Sequence, residues 1–450
     1  MKERIANSIS QYAYVRWIVL AIVSVTMMTG YIVAKQVSPL EFLLESPISS
    51  GGMGWTSGEF GLFAGSRGFF NVFFLMLFFG GIILDKTGVK IAGILSCILM
   101  LVGTVVDYYS IAFVSPSIIS SSLFAGTKMQ VLISSLGFAI FGIGYELCGI
   151  TVSKVIVKWF TGKEMALAMG IQVALARLGT ALALGYSARI AISTTISTPI
   201  LVGVFALGVG FIGYLAYCMI DTNNDNNTDK LGEDDKFHFA DLKLTLTNKG
   251  FWLITFLCML YYSSLYPFLD FATKLMITKY SVDVSVAGMI PAILPFTSII
   301  LTPLFGAMYD RIGRGATIMI IGTVMLTIVL MIFSLPSGAS MVAIVSMLVL
   351  GIAFSLLPSV LWPAVPKIVP VKQLGTAYSI IYYIQNIGLI LVPAMIGKII
   401  EFNTAADGTP NYTQAMYVFT IIGIAAIGVA VALYFADKKQ NYGLEIPNSK

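Results

Sequence analysis

Twelve runs of apolar residues, each long enough to cross a lipid bilayer as a helix, are spread along this 450-residue chain. A spanning helix needs about 20 apolar residues, because it rises ~1.5 Å per residue. Only 11% of the residues are charged, whereas soluble proteins carry about 25%. The runs lie near residues 15–36, 58–84, 91–110, 129–154, 165–192, 199–220, 250–277, 286–309, 316–335, 341–366, 374–400 and 414–435. The sequence therefore predicts an all-α membrane protein with twelve transmembrane helices.

One long polar segment divides the twelve runs into two sets of six. It begins at Asp221 and contains the stretch DTNNDNNTDKLGEDDK. Such a stretch cannot bury enough apolar surface to fold by itself, so we expect a solvated linker. The predicted organisation is a six-helix bundle over residues 1–220, a cytoplasmic linker over 221–249, a second bundle over 250–436 and a cytoplasmic tail over 437–450.

Basic residues concentrate on one side of the predicted membrane. The loops at residues 38–56 and 401–413, on the opposite side, contain neither lysine nor arginine. Basic residues follow the even-numbered runs instead, among them Lys86, Lys90, Lys154, Lys158, Lys163, Arg311, Arg314, Lys367, Lys372, Lys438 and Lys439. Since basic loops are retained in the cytoplasm, both termini and the linker are predicted to be cytoplasmic.

Two internal repeats relate the halves of the chain. The loop after the second run contains Gly81, Asp85, Lys86, Gly88 and Lys90, and the loop after the eighth contains Gly306, Asp310, Arg311, Gly313 and Arg314. The first four residues recur at identical spacing, and the last basic residue comes one position earlier in the second loop. A second repeat pairs Gly142 with Gly351, Lys158 with Lys367, Lys163 with Lys372, Ala168 with Ala377 and Gly179 with Gly388. Repeats of this kind are typical of transporters that place their substrate site between two similar halves.

The repeated loop also predicts how the halves meet. We expect Gly81 to allow close packing of the second helix against a neighbour. Asp85 lies where it can accept hydrogen bonds from a helix N-terminus of the other half. On this interpretation Asp85 and Asp310 are gating contacts and do not bind the substrate.

The loop pattern G-x-x-x-D-[KR]-x-G-x-[KR] resembles the signature loop of the major facilitator superfamily. Further stretches resemble its lysosomal dipeptide transporter branch and the microbial relatives of that branch. They are FGIGYEL from Phe141, followed by WFTGKE and MGIQVALARLGT; FW-x5-C-x2-YY-x4-PF from Phe251; LWPAV from Leu361; and QLGTAYSIIYYIQNIGL from Gln373. The resemblance implies two pseudo-symmetric six-helix bundles that move short peptides without a chemical reaction.

Two ionisable residues lie deep within the predicted spans, where charge is costly and usually marks a transport pathway. Glu146 lies 12 residues from Lys158, and Arg177 lies 14 from Lys163. Both are thus predicted at one depth, ~18–21 Å from the cytoplasmic end. Arg177 can hold a carboxylate with its planar fork, and Glu146 can accept from an ammonium. The resemblance points to the same two positions; the alternative is a structural ion pair between them.

The second half offers uncharged candidates for the same site. The repeat aligns Glu146 with Ser355 and Arg177 with Asn386, which assigns charge recognition to the first half. Aromatic and amide side chains of the second half are predicted to line the substrate, with packing as the alternative. They are Trp362, Tyr382, Tyr383, Gln385, Asn386, Tyr261 and Tyr262.

Four further charges lie in or near the spans. Asp270 and Lys274 are spaced i, i+4 and are predicted to pair with each other. Arg67 and Lys35 are expected to line the outward cavity or to extend to the membrane surface. In the transporter branch that this chain resembles, a segment with tyrosine and aspartate ends the first helix. The corresponding segment of this chain is Tyr31-Ile-Val-Ala-Lys35-Gln. A cation at Lys35 favours a substrate with an extra negative charge.

The predicted function is alternating-access transport of a small solute, by preference a dipeptide. The alternative is a proton-coupled symporter or antiporter of organic anions or other small metabolites, with Glu146 as the proton site. The sequence contains no nucleophile–base pair, metal cluster or phosphate-binding loop, so we expect no enzyme activity, cofactor or metal. The expected partners are a small-molecule substrate and the lipid bilayer, without nucleic acid. We expect a monomer in a bacterial inner membrane.

Overall fold

The computed structural model describes residues 13–121, 125–160, 164–225, 246–335, 339–370, 374–405 and 408–447. Fourteen α-helices account for most of them. The helices of the first half are α1 (Ala13–Gln36), α2 (Glu41–Glu45), α3 (Ser57–Ser66), α4 (Phe69–Phe73), α5 (Met76–Phe113), α6 (Met129–Phe160), α7 (Met165–Ser193) and α8 (Thr198–Asp225). Those of the second half are α9 (Lys249–Tyr280), α10 (Met289–Ile312), α11 (Gly315–Ser334), α12 (Ser340–Ile368), α13 (Leu374–Phe402) and α14 (Thr413–Gln440).

Eleven helical segments of the described chain are long and apolar enough to span a membrane, and they match eleven of the twelve predicted runs. The exception is the run at 58–84, whose prediction as one continuous helix is wrong. It forms α3, α4 and the beginning of α5, with a left-handed residue, Leu75, before α5 (φ 53°). Gly68, a residue of low helix propensity, lies at the first break, between α3 and α4. Gly58, Gly61 and Gly65 lie inside α3 and allow it to pack closely on α13.

The two repeated loops share an unusual backbone conformation. Gly88 breaks α5 with φ 77°, and Gly313 ends α10 with φ 70°. Side chains rarely tolerate this region, which explains why both loops have glycine here. The side chain of Asp85 lies outside the described part of the chain. A Cβ added at Gly81 would meet no described atom within 4 Å, so none of the described residues packs closely on Gly81 in this conformation.

Four repeated glycines make equivalent contacts in the two halves, each where an added Cβ would come within 3 Å of a neighbouring helix. The contacts are Gly142 with Arg67, Gly351 with Thr297, Gly179 with Met28, and Gly388 with Ser263. The fourth predicted span thus packs on the second as the tenth packs on the eighth. The fifth packs on the first as the eleventh packs on the seventh. The predicted fold of two pseudo-symmetric helical bundles is confirmed.

The most extensive helix contacts between the halves are those of α3 with α13 and of α7 with α10. A Cβ at Gly61 would lie 2.4 Å from the Pro393 carbonyl oxygen, and one at Gly288 would lie 2.2 Å from the Leu184 carbonyl oxygen. Both contacts lie toward the loops at 38–56 and 401–413, the side that the sequence predicts to be extracytoplasmic. We call this the closed end, because the two halves meet there without room for even a methyl group.

Candidate functional site

Arg177 reaches from α7 across to the second half. Its Nη1 donates a hydrogen bond of 2.9 Å to the Tyr266 hydroxyl. Its guanidinium carbon lies 4.3 Å from the ring centre of Phe354, a cation–π distance. The predicted carboxylate ligand therefore already contacts α9 and α12, and its guanidinium makes no second hydrogen bond to any residue that the structure describes.

Glu146 lies on α6 and faces different partners. Arg67 is its main charged neighbour, and the Asn386 amide faces its carboxylate from the second half. Asn386 in turn donates 2.9 Å to the Tyr382 carbonyl oxygen. Glu146 and Arg177, both within the described part of the chain, form no ion pair with each other. The alternative of a structural ion pair between them therefore does not hold in this conformation.

Tyr31 of α1 places the two charges in one site. Its ring packs edge-on against Tyr145, with 5.2 Å between the ring centres. Its electrostatic neighbours include Tyr266, Arg177 and Glu146. The site is therefore built from α1, α6 and α7 of the first half and from α9, α12 and α13 of the second.

Aromatic rings from the second half form one wall of this site. Trp362 stacks on Tyr382 with 5.0 Å between the ring centres, and Tyr262 stacks on Tyr266 at 5.4 Å. Both tyrosines of the second stack also meet the edge of Phe354. Trp362, Tyr382, Tyr262 and Asn386, all sequence candidates, thus lie around Glu146 and Arg177. They offer π faces and hydroxyl groups to a bound solute.

Two other sequence candidates point into the second half. Gln385 accepts a hydrogen bond of 3.3 Å from the Cys258 thiol. Tyr261 is completely buried, and its hydroxyl has no hydrogen-bond partner in the described structure. Tyr383 is partly buried one position beyond Tyr382 on the same helix.

Sequence reasoning missed Tyr266 and Phe354. Tyr266 lies four residues after Tyr262, and that spacing places both on one face of α9, so helical periodicity contained the signal. Phe354 precedes Ser355, the repeat partner of Glu146, but one phenylalanine among 29 in the chain carries no distinctive pattern. Its role follows only from the tertiary contact with Arg177.

Asp270 and Lys274 do not pair with each other, so that prediction is wrong. Asp270 pairs with Lys35 of the first half and accepts a hydrogen bond of 2.7 Å from Ser38. Lys274 pairs with Glu45, which also accepts 2.8 Å from Ser57. The i, i+4 spacing places both charges on one face of α9, and that face meets opposite charges of the first half.

These four residues form what we call the outer charge cluster: Lys35, Asp270, Lys274 and Glu45. Both ion pairs are largely buried, with side-chain exposures between 5% and 13%, and both connect the halves near the closed end. Lys35 does not extend to the membrane surface; its Nζ also donates 3.1 Å to the Tyr266 carbonyl oxygen. Tyr266 therefore contacts the cluster through its backbone and Arg177 through its hydroxyl.

Within the described part of the chain, no cluster of three or more His, Cys, Asp or Glu side chains is arranged so that it could hold a metal ion. The site contains aromatic rings, amides and unlike charges. Such a set of groups suits recognition of a small polar solute.

Comparison with known proteins relates this geometry to transporters. The family model described as Major Facilitator Superfamily matches residues 11–393 and 268–448. The lysosomal dipeptide transporter MFSD1 of Homo sapiens is 26% identical over 386 residues, which cover 82% of this chain and 77% of the relative. The Bos taurus protein of the same name is 26% identical over 345 residues, covering 73% and 68% respectively.

Solved structures share the fold at lower sequence identity. A mutant of the nucleoside transporter NupG superposes with a TM-score of 0.72 at 15% identity, over 92% of this chain and all of that one. A mutant of the peptide transporter POT in complex with alafosfalin gives a TM-score of 0.69 at 13% identity, over 95% of each chain. At these identities the likeness establishes the fold alone.

Proposed function

This chain belongs to the Major Facilitator Superfamily and is an integral membrane transporter, and we propose that it carries dipeptides by facilitated transport. The relatives named as dipeptide transporters match two thirds or more of the chain and support this substrate class. In the proposal Arg177 binds the substrate carboxylate and Glu146 binds its ammonium group. The transport cycle is alternating access between the two halves.

The observation that carries the proposal is the separation of Glu146 from Arg177. The two side chains face one site but are not paired, and each contacts the second half, through Asn386 and Tyr266 respectively. A zwitterion can satisfy both charges at once, which neither can do for the other in this conformation. Unlike charges held apart in a water-poor site favour a ligand that brings its own opposite charges.

Tyr266 offers a physical route from binding to gating. Its hydroxyl accepts a hydrogen bond from Arg177, and its carbonyl oxygen accepts one from Lys35 of the outer charge cluster. A substrate carboxylate that displaces the hydroxyl changes the environment of Tyr266 and of the ion pair beside it. In the proposal this differential contact is what shifts the balance between conformations.

A second candidate is a proton-coupled transporter of organic anions. Arg67 and Arg177 outnumber Glu146 at the site, and this excess of cations favours an anionic solute. Glu146 is the proton-binding residue in this alternative. The two candidates differ in the pH dependence of transport and in which compounds compete.

Uptake by purified protein in liposomes separates the two candidates. We expect uptake of labelled Ala-Ala that is blocked by excess unlabelled dipeptides, is unaffected by mono- and dicarboxylic acids, and changes less than about twofold between pH 5.5 and 7.5. Uptake of a labelled organic acid that depends on an inward proton gradient and ignores dipeptides would instead establish the alternative. Liposomes without protein are the control for leakage.

The proposed location is a bacterial inner membrane, with both termini in the cytoplasm. Support for the orientation comes from the basic residues that follow the even-numbered spans. Reporter fusions that are active only in the periplasm should be active at Gly408 and inactive at Gln440. The reverse pattern would invert the orientation and with it the assignment of the closed end to the outside.

A further inference from the structure

Arg67 is a third charge at the substrate site. It follows the last residue of α3, at the break in the second predicted span. Gly142 of α6 holds it in place, because a Cβ there would lie 1.9 Å from the Arg67 carbonyl oxygen and 3.1 Å from its Cγ. Gly142 precedes Glu146 by four residues, so one face of α6 positions both charges.

The Arg67 guanidinium has neither a hydrogen bond nor an ion pair to any described residue. It lies 5.5 Å from the ring centre of Tyr145 and interacts electrostatically with Glu146 and Lys35. It lines a small pocket with Lys35, Asp270 and Tyr266. A guanidinium carries five N–H donors, and here they are left for a ligand.

The charges around the site do not cancel. Lys35 is neutralised by Asp270, so it does not supply the free positive charge that the sequence suggested. Glu146, Arg67 and Arg177 remain, with one negative and two positive charges. A zwitterionic dipeptide leaves the excess positive charge unchanged, whereas a dipeptide with one acidic side chain removes it. Within a membrane protein an uncompensated charge is costly, so the second substrate is favoured.

We propose that Arg67 binds an acidic side chain on the first residue of the dipeptide, so that Glu-X substrates are preferred. This inference rests on the proposed function above. The position follows from geometry: Arg67 adjoins Glu146, which receives the ammonium group, and the first residue carries both that ammonium and the nearest side chain. An acidic side chain on the second residue lies toward Arg177, which the terminal carboxylate already occupies.

The test is competition against labelled Ala-Ala uptake by four unlabelled dipeptides: Glu-Ala, Ala-Glu, Gln-Ala and Lys-Ala. In the parent protein we expect Glu-Ala to compete about 10- to 100-fold more strongly than its neutral isostere Gln-Ala, the range for a charge-assisted contact. Ala-Glu, which has the same net charge as Glu-Ala, should compete more weakly than Glu-Ala. Lys-Ala should compete most weakly, because it adds to the excess positive charge.

Two substitutions assign the preference to Arg67. Arg67→Gln should bring Glu-Ala and Gln-Ala to within about threefold of each other, whereas Arg67→Lys should keep part of the preference. Arg189→Gln is the matched control, since Arg189 is an exposed arginine on α7 that does not line the pocket. It should leave the ratio of Glu-Ala to Gln-Ala unchanged.

Each outcome decides the proposal. If none of the dipeptides competes, the proposed function fails as well; if Gln-Ala competes as well as Glu-Ala in the parent, only the role of Arg67 fails. Equal competition by Ala-Glu and Glu-Ala would also overturn the proposal. So would a preference for Glu-Ala over Gln-Ala that remains in Arg67→Gln. If Arg67→Gln does not fold, the four dipeptides tested on the parent and on Arg67→Lys still decide. A preference for Glu-Ala that is unchanged in Arg67→Lys would show that the guanidinium of Arg67 does not bind the acidic side chain.

Discussion

Arg177→Lys is expected to weaken dipeptide binding by at least about 30-fold while leaving the protein folded. Lysine keeps the positive charge but loses the planar fork, which can bind a carboxylate through two parallel hydrogen bonds. Loss of one partner in a buried charge-assisted contact costs about 2–5 kcal/mol, and 1.4 kcal/mol is tenfold in affinity. Equilibrium binding of Ala-Ala to the purified proteins measures the change.

Two controls separate a substrate contact from a structural contact. Arg189→Lys makes the same substitution at an exposed position of the same helix and should bind Ala-Ala like the parent. A C-terminally amidated dipeptide should bind the parent poorly, because it lacks the carboxylate. If Arg177→Lys binds Ala-Ala as the parent does, or if amide and free acid bind equally, Arg177 is not the carboxylate ligand.

Asp270→Asn is expected to open the closed end. The substitution keeps the size of the side chain but leaves Lys35 buried without its counter-ion. Breaking a buried ion pair from one side costs about 3–5 kcal/mol, and the cost falls only on the conformation that buries the pair. Equilibrium should therefore move toward the outward-open conformation by roughly 100-fold or more. Ala64 lines the pocket beside Lys35, so labelling of Ala64→Cys by a membrane-impermeant thiol reagent reports the opening.

Removing both charges tests whether the ion pair is responsible. A double variant, Lys35→Met with Asp270→Leu, buries no unpaired charge, and we expect it to label more slowly than Asp270→Asn. If the single and double variants label equally fast, the opening is not caused by the stranded lysine. If neither labels faster than the parent, the outer charge cluster does not hold the closed end together.

A steric change should open the same end without any change in charge. Gly61→Leu places a side chain where even a Cβ would lie 2.4 Å from the Pro393 carbonyl oxygen. Gly428→Leu is the matched control on a spanning helix outside the closed end, since a Cβ there meets no described atom within 4 Å. Fast labelling of Ala64→Cys is expected with the first substitution and slow labelling with the second.

Spans and symmetry could be predicted because they depend on local composition and on spacing along the chain. Long apolar runs indicate helices in lipid wherever they occur, since an unpaired backbone is too costly there. The repeated glycines indicated two related halves, and Gly142 and Gly351 do make equivalent contacts. The break near Gly68 and Leu75 was not predicted, because hydropathy measures the apolar character of a run and not its continuity as a helix.

The amino-acid sequence specifies which side chains are charged, which of them lie within a span, and which share a face of one helix. It determined in this way that Asp270 and Lys274 point in one direction, and that Glu146 and Arg177 are rare charges deep in the first half. Their partners could be identified only from the packing of the two halves, because both ion pairs of α9 join residues more than 200 positions apart. Helical spacing relates residues within one or two turns, whereas the docking of the two halves depends on the packing of whole helix faces. A charge that is removed from water at such an interface is stabilised by pairing with an opposite charge that the docking brings close.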